Sequence, residues 1–327
     1  MKSFEISKSE EGQTLFKFVK KVLPLAPLGF IEKLFRIRDV KVNAVREEKN
    51  RILQEGDRVD IYLNDRQWAD FTEEKREVRF FVDPETVYED ENLLIVNKPR
   101  GLLVHGDKNE KRITLTNMVL SYLHRKGEFS FDAGGFVPAL AHRIDRNTSG
   151  LVIFGKNVRA LQAMEDIFRE HTRIEKTYLA LVKGILPATG TIDKPLLKDE
   201  EKALVKVVSE KNGGKPARTQ YTLLESFGWC SLAEIQLLTG RTHQIRVHFA
   251  SIQHPLLGDD KYGDFGLNRE FSEKYAFHGQ FLHAYRIRLK EIDGFLSYLS
   301  GKEFSCPLDE KEQSVLDRLR LERGEER

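Results

Sequence analysis

The sequence predicts an α+β fold in two parts: a small N-terminal α/β module, then a larger domain on a mixed, largely antiparallel sheet flanked by helices. Three observations lead there. Short runs with two-residue alternation or continuous apolar character outnumber helical ones. The helical stretches stand singly among them, without the regular strand-helix-strand alternation of a parallel sheet. At 327 residues the chain has room for about two domains of ~100–200 residues each, one of them with a substantial core.

The elements follow in order. From Thr14, the residues Leu15, Phe16, Val19, Val22 and Leu23 have helical spacing, which Pro24 and Pro27 end. A second helix carries Ile31, Leu34 and Phe35 on its apolar side and Lys33 and Arg36 on another face. Val40-Lys41-Val42-Asn43 reads as a short strand, and Gly56-Asp57 opens another in which Val59, Ile61 and Leu63 alternate with polar residues. Residues 1–64 form this module, with 13 Lys and Arg against 10 Asp and Glu. Residues 65–87, with charges clustered from Glu73 to Glu77 and Pro84 near the end, read as a linker or edge strand. The larger domain, 88–307, opens with the buried strand Leu93-Leu94-Ile95-Val96, stopped by Asn97-Lys98-Pro99-Arg100-Gly101. A helix is expected from about Asn157 to Glu170, because Ala160, Met164, Ile167 and Phe168 share a face. Strands follow at Lys176–Val182, Thr219–Leu224 and Ser231–Leu238, and a helix at Thr242–Ile252. The tail, 308–327, is charged and helical in pattern, with Val315, Leu316 and Leu319 on one side.

Composition narrows the function. Cys230 and Cys306 lie far apart with no CxxC, which disfavours a disulfide framework and a cysteine-based zinc site. No run approaches the ~18 apolar residues of a membrane span, and the N-terminus lacks the apolar stretch of a secretory signal, so a soluble cytoplasmic protein is expected. With 53 Lys and Arg against 51 Asp and Glu, bulk charge does not announce a nucleic-acid binder. No GxGxxG, Walker A, GxSxG or HExxH motif occurs. His243 and His248 are five apart, not the four that would place two metal ligands on one helix face, so no metal is expected.

Three segments carry chemistry. His142-Arg143-Ile144-Asp145-Arg146-Asn147-Thr148-Ser149-Gly150 is a polar loop before the buried strand Leu151-Val152-Ile153-Phe154, the kind of rigidly held loop on which catalytic groups sit. Its Asp145 reads equally as a catalytic carboxylate or a turn-capping residue. Gly240-Arg241-Thr242-His243-Gln244-Ile245-Arg246-Val247-His248 places donor-rich side chains at a helix start, an anion site or a buried network. On the strand Lys176-Thr177-Tyr178, Tyr178 reads as core or as ligand. Asp259 and Asp260, taken with Asp145, also permit a paired-carboxylate glycosidase.

The loop from His142 to Gly150 resembles the HRLDxxTSG signature of RluA-type pseudouridine synthases. Further matches stand in family order: Asn97 to His105, Lys176-Thr177-Tyr178, Gly214 to Thr219, Gly240 to His248, His254 to Asp259 and Leu282-His283-Ala284. They span roughly residues 88–290, with Ile144 in place of the usual leucine and Gly155 in place of alanine. The first 64 residues resemble an S4 RNA-binding domain in Leu15 and Phe18, Ile31 to Arg38, Val40 to Asn43 and Gly56 to Val59.

The resemblance implies a pseudouridine synthase fold and an isomerase that needs no cofactor. Such an enzyme breaks the N1–C1′ bond of a uridine in RNA, rotates the uracil and rejoins it through C5. It makes Asp145 the catalytic carboxylate, acting by attack at C1′, attack at C6 or abstraction of the 2′ proton. Arg246 is implied as its ionic partner and Tyr178 as the ring that stacks on the uracil. Arg143 would enter the space of the flipped base, Arg241, Thr242 and His243 would contact phosphate or ribose, and Lys98 would meet the RNA backbone at the cleft rim. Lys33, Arg36, Arg38 and Lys41 would face RNA from the S4-like module. The substrate implied is large-subunit (23S) ribosomal RNA, free or in pre-ribosomal particles, bound by a monomer with no membrane. A tRNA-directed enzyme and an RNA-binding ribosome-assembly protein with weak or no catalysis are the alternatives.

Overall fold

In the computed structural model, which describes every residue except 73–79, 81, 107–109, 111–112, 132–135, 200–203 and 326–327, the N-terminal part has its own sheet and core. It runs β1 (Lys2–Glu5), α1 (Leu15–Val22), α2 (Leu28–Ile37), β2 (Val40–Val42), β3 (Val45–Arg46), β4 (Arg58–Ile61) and α3 (Asp65–Phe71). Thr14 caps α1 by accepting the amide of Lys17, and α2 ends at Arg38 in the left-handed region. The four strands are antiparallel in the order β1-β4-β2-β3, and Phe18, Ile31, Val59 and Trp68 close a core against them. The helix α3 departs from the linker expected over 65–87. Asn64 and Gln67 form a reciprocal capping box at its start, and Trp68 buries its ring in the N-terminal core. The expected charge cluster at 73–77 lies outside the described residues.

The larger part continues with β5 (Glu85–Glu89), β6 (Leu93–Lys98), α4 (Leu115–Arg125), β7 (Ala139–Leu140), β8 (Ser149–Gly155), α5 (Val158–Glu170), β9 (Ile174–Lys183), β10 (Thr189–Asp193), β11 (Leu196–Asp199) and β12 (Leu204–Val207). It closes with β13 (Arg218–Ser226), β14 (Cys230–Leu237), α6 (Gln244–Ser251), α7 (Phe265–Tyr275), β15 (Leu282–Leu289), β16 (Glu303–Ser305) and α8 (Glu310–Glu325). The main sheet runs β10-β13-β14-β9-β15-β8-β6-β5, with β16 added to β15 and β7 to β8. Among the pairings of the named strands only β8 with β15 is parallel, so the mixed, mostly antiparallel α+β expectation holds.

Alternation on the central strands explains the layers. Leu93, Ile95, Leu151 and Ile153 face Ala160, Met164 and Ile167 of α5. Leu94, Val96, Val152 and Phe154 face Leu115, Val119 and Leu123 of α4 on the other side. The parallel pair meets at Gly150 opposite Ala284. Gly150 has φ +105, and a Cβ there would overlap the Ala284 backbone, so only glycine lets the strands come together. The C-terminal helix packs on the body: Val315, Leu316 and Leu319 are buried with Phe271 and Phe281. The N-terminal part is tied to the body by the Val158 amide donating to the Ser9 carbonyl at 3.0 Å and by an Arg159–Glu11 ion pair at 3.0 Å.

Candidate active site

The start of β8, the middle of β9 and the start of α6 bring the candidate residues together. Each is fixed by local causes. The loop before β8 is held from below: Lys98, fully buried, donates its three ammonium N–H groups to the carbonyls of Pro99, Leu102 and Arg146, each at 2.9 Å. This corrects the expectation that Lys98 meets RNA at the cleft rim. Its donors are spent inside the protein, and burial pushes its ammonium down to about 7. The amide of Gly101 and Nε of Arg146 close a reciprocal pair across the same loops, both at 3.0 Å.

Asp145 stands at the top of this loop, its side chain 29% exposed and 3.1 Å from Nη1 of Arg246, whose own side chain is 5% exposed. The arginine is itself anchored. It donates from Nε and Nη2 to Asp259 at 2.8 and 2.7 Å and from Nη2 to Asp260 at 3.1 Å, with its guanidinium 5.2 Å from the Tyr262 ring. Asp259 is fully buried and also accepts the amides of Lys261 and Tyr262. Burial alone would raise its carboxyl, but the hydrogen bonds and charge of Arg246, with these amides, outweigh it and hold it below the usual range. Asp259 is thus committed to Arg246 and is not available as the second carboxylate of a glycosidase pairing, while Asp260, 63% exposed, accepts from the same arginine.

His243 adopts the left-handed conformation with φ 52, so α6 begins at Gln244 rather than at the expected Thr242. Its Nε2 lies 3.8 Å from Asp145. The Val205 amide donates to the Tyr262 hydroxyl at 2.9 Å, and that hydroxyl shares a hydrogen bond with His243 Nδ1 at 2.8 Å. With the hydroxyl as donor, the ring proton sits on Nε2, facing Asp145. Burial holds His243 below its ordinary value, so it is neutral near pH 7. Tyr178 is half-buried beside them, and burial, followed by the Asp145 charge, pushes its phenol far above the ordinary range, keeping it protonated.

These groups line a cleft of about 80 Å³ whose walls include Arg143, Asp145, Tyr178, Leu237, Arg241 and Arg246. Arg143 is exposed and makes no hydrogen bond to another described residue. Arg241 is exposed at the mouth, and Thr242, also exposed, does not line the cleft. The anion site expected at this helix start is partly an internal network, since buried Gln244 accepts the Arg241 amide and the Thr239 hydroxyl. His248 is buried with both ring nitrogens engaged, by Thr219 and by the Lys194 carbonyl, and no group of three or more metal-ligating residues is found among the described residues. Lys33, Arg36 and Arg38 are exposed on α2 and its cap, while Lys41 on β2 lies over the Tyr62 ring at 4.8 Å; none lines the cleft. A larger groove, about 820 Å³, lies between the N-terminal part and the body. Of its lysines, Lys126 and Lys156 are paired with Glu89 and Glu128, and Lys8 stands among the further carboxylates Glu11, Asp90 and Glu91, which makes the groove a poor host for a polyanion. Sequence reasoning missed Tyr262, which no motif marks, and the anchoring role of Asp259.

A half-buried carboxylate held by an anchored arginine thus shares one cleft with a protonated tyrosine and two exposed arginines, an arrangement that can keep a carboxylate ionised beside an aromatic ring. The family model for RNA pseudouridylate synthase matches residues 92–251. The ribosomal large subunit pseudouridine synthase C of Vibrio vulnificus is 33% identical, over 98% of this chain and 96% of the relative, and that of Haemophilus ducreyi 32% identical, over 98% and 96%. Human RNA pseudouridylate synthase domain containing 4 superposes with a TM-score of 0.58 at 25% identity, over 72% of this chain and 93% of that one. The chain therefore belongs to the RNA pseudouridine synthase family, isomerases that act on uridine in RNA. No helix among the described residues is long and apolar enough to cross a membrane.

Proposed function

We propose that the chain isomerises uridines of large-subunit ribosomal RNA with Asp145 as the reacting carboxylate. The observation that carries this is the 3.1 Å pairing of Asp145 with an Arg246 fixed from behind by Asp259, opposite Tyr178. Asp145 is partly exposed and so can meet a ribose or base, while Arg246 supplies its counter-charge without having to be ordered in the reaction. The Tyr178 ring stacks on the uracil once the N1–C1′ bond is broken; stacking of this kind is worth ~1–3 kcal/mol per base. A base in a helix must be flipped out to reach the cleft, at a cost of a few kcal/mol. Arg143 fills the gap in this reading, which its exposure and lack of a described partner support.

The ribosomal substrate is supported by the names of the relatives, which align along almost their whole length and so share the N-terminal part. We read that part as the S4-like module, with Lys33, Arg36 and Arg38 toward RNA. In Asp145→Asn, pseudouridine formation is expected to be lost, with RNA affinity changed less than about twofold. Carbodiimide mapping of total RNA from cells with and without the gene identifies the substrate. Turnover by Asp145→Asn within an order of magnitude of wild type would remove the aspartate from its role.

A further inference from the structure

Two buried lysines of this chain fare differently. Lys98 gives all three N–H groups to carbonyls. Lys176, two residues before Tyr178 and on the same face of β9, is 6% exposed, yet its Nζ has a single partner, Nδ1 of His171 at 3.2 Å. No carboxylate among the described residues pairs with it. A buried ammonium with two free donors and no counter-ion is a costly arrangement for a protein to keep unless something else supplies the charge.

The surroundings say where that charge enters. An ammonium only donates, so His171 accepts at Nδ1 and carries its own proton on Nε2. Above the pair lies Gly240, which is exposed; a methyl group there would stand 3.4 Å from the His171 ring and 3.8 Å from Lys176 Nζ. Next to it Arg241 is exposed and uses Nε on the Pro216 carbonyl at 3.0 Å, with no described partner for its Nη donors. An ammonium and an imidazole thus lie just beneath Gly240, next to Arg241 on the wall of the cleft.

We propose that Lys176, His171 and Arg241, roofed by Gly240, form a phosphate subsite for the RNA backbone next to the target uridine. This rests on the RNA-isomerising reading and assigns that site a further contact. Glycine at the roof lets a phosphate oxygen approach the ammonium closely. The titratable or charged groups around Lys176 are His171, His142 and Arg241, none of them acidic. Burial pushes the empty site's ammonium down to about 8, so anion binding should weaken as pH rises past that value.

Binding of the full-length chain to fluorescent oligouridylate tests this without requiring turnover. In Lys176→Met we expect a fivefold or greater loss of affinity at low salt and a salt slope smaller by about 0.7, one single-strand phosphate contact. Lys176→Arg should retain affinity and exceed wild type at pH 9, where only the guanidinium stays charged. Gly240→Ala keeps every charge and covers the gap, and should weaken binding as Lys176→Met does; it serves if the lysine variant fails to fold. In a methylphosphonate scan, one neutralised position should weaken wild type and leave Lys176→Met unaffected. Wild-type affinity and salt slope in both Lys176→Met and Gly240→Ala would overturn the subsite, as would a scan with no position at which the effects merge. A chain that shows these binding losses yet forms no pseudouridine would refute the proposed function and leave the subsite standing.

Discussion

Tyr262 has two jobs that no motif announces. Its ring lies against the Arg246 guanidinium, and its hydroxyl links the Val205 amide to His243. Removing the hydroxyl in Tyr262→Phe frees His243 to move its proton to Nδ1 and turn a lone pair toward Asp145. One hydrogen bond is worth about 1 kcal/mol net, so kcat should fall by roughly fivefold with KM little changed and the folded chain retained. Single-turnover kinetics and a thermal melt check both parts; a change confined to KM would count against a tautomer-setting role. Legibility at this scale follows the same division. Asp145, Tyr178 and Arg246 stood out because their motifs have fixed spacing, and the structure brings all three to one cleft. Lys98 was misplaced because sequence does not show whether a lysine's donors end on carbonyls or in water. Asp259 was visible as a residue, but its commitment to Arg246 needed the fold.

At the scale of elements, helix spacing and caps were legible: Thr14, Asn157 and the apolar faces behind them start helices where expected. The helix over 65–71 was hidden by the charged stretch after it, although its Asn64-x-x-Gln67 box was in plain view. For the tail, the pattern Val315, Leu316, Leu319 predicted an apolar side but not its anchor. That anchor is Glu312 on α8, fully buried, with Oε1 2.5 Å from the Ser149 hydroxyl and Oε2 3.5 Å from Nδ1 of buried His283. Burial raises its carboxyl to about 7, against ~4.3 in an unfolded chain. Between these values the unfolded chain releases a proton that the folded chain keeps, so this group's contribution to stability is fully present below about pH 4.3 and is lost as pH rises to about 7. Melting temperatures from pH 4.5 to 8 should show wild type falling relative to Glu312→Gln over that window. Parallel curves would assign the carboxyl an ordinary titration.

For the whole molecule, near-neutrality of 53 basic against 51 acidic residues conceals a division of labour. The large groove between the two parts carries its own counter-ions, whereas Lys33, Arg36 and Arg38 stand exposed on the N-terminal part. Replacing these three with alanine should lower the dependence of log affinity on log salt by about 2, at ~0.7–0.9 per phosphate contact. The kcat at saturating RNA should hold, and an unchanged salt slope would move the RNA to another face. The two-part α+β plan was legible because alternation marks each strand locally, but strand order was not, since it depends on contacts far apart in sequence. The parallel meeting of Ser149 with His283 across 134 residues has a temporal side. At ~5–20 residues per second of synthesis, the loop bearing Asp145 exists for roughly 7 to 27 seconds before the strand that completes its sheet has been made. Until then β8, buried along its whole length in the finished chain, has an open edge able to pair wrongly. A nascent chain therefore carries the Asp145 loop without its full sheet until β15 has been made.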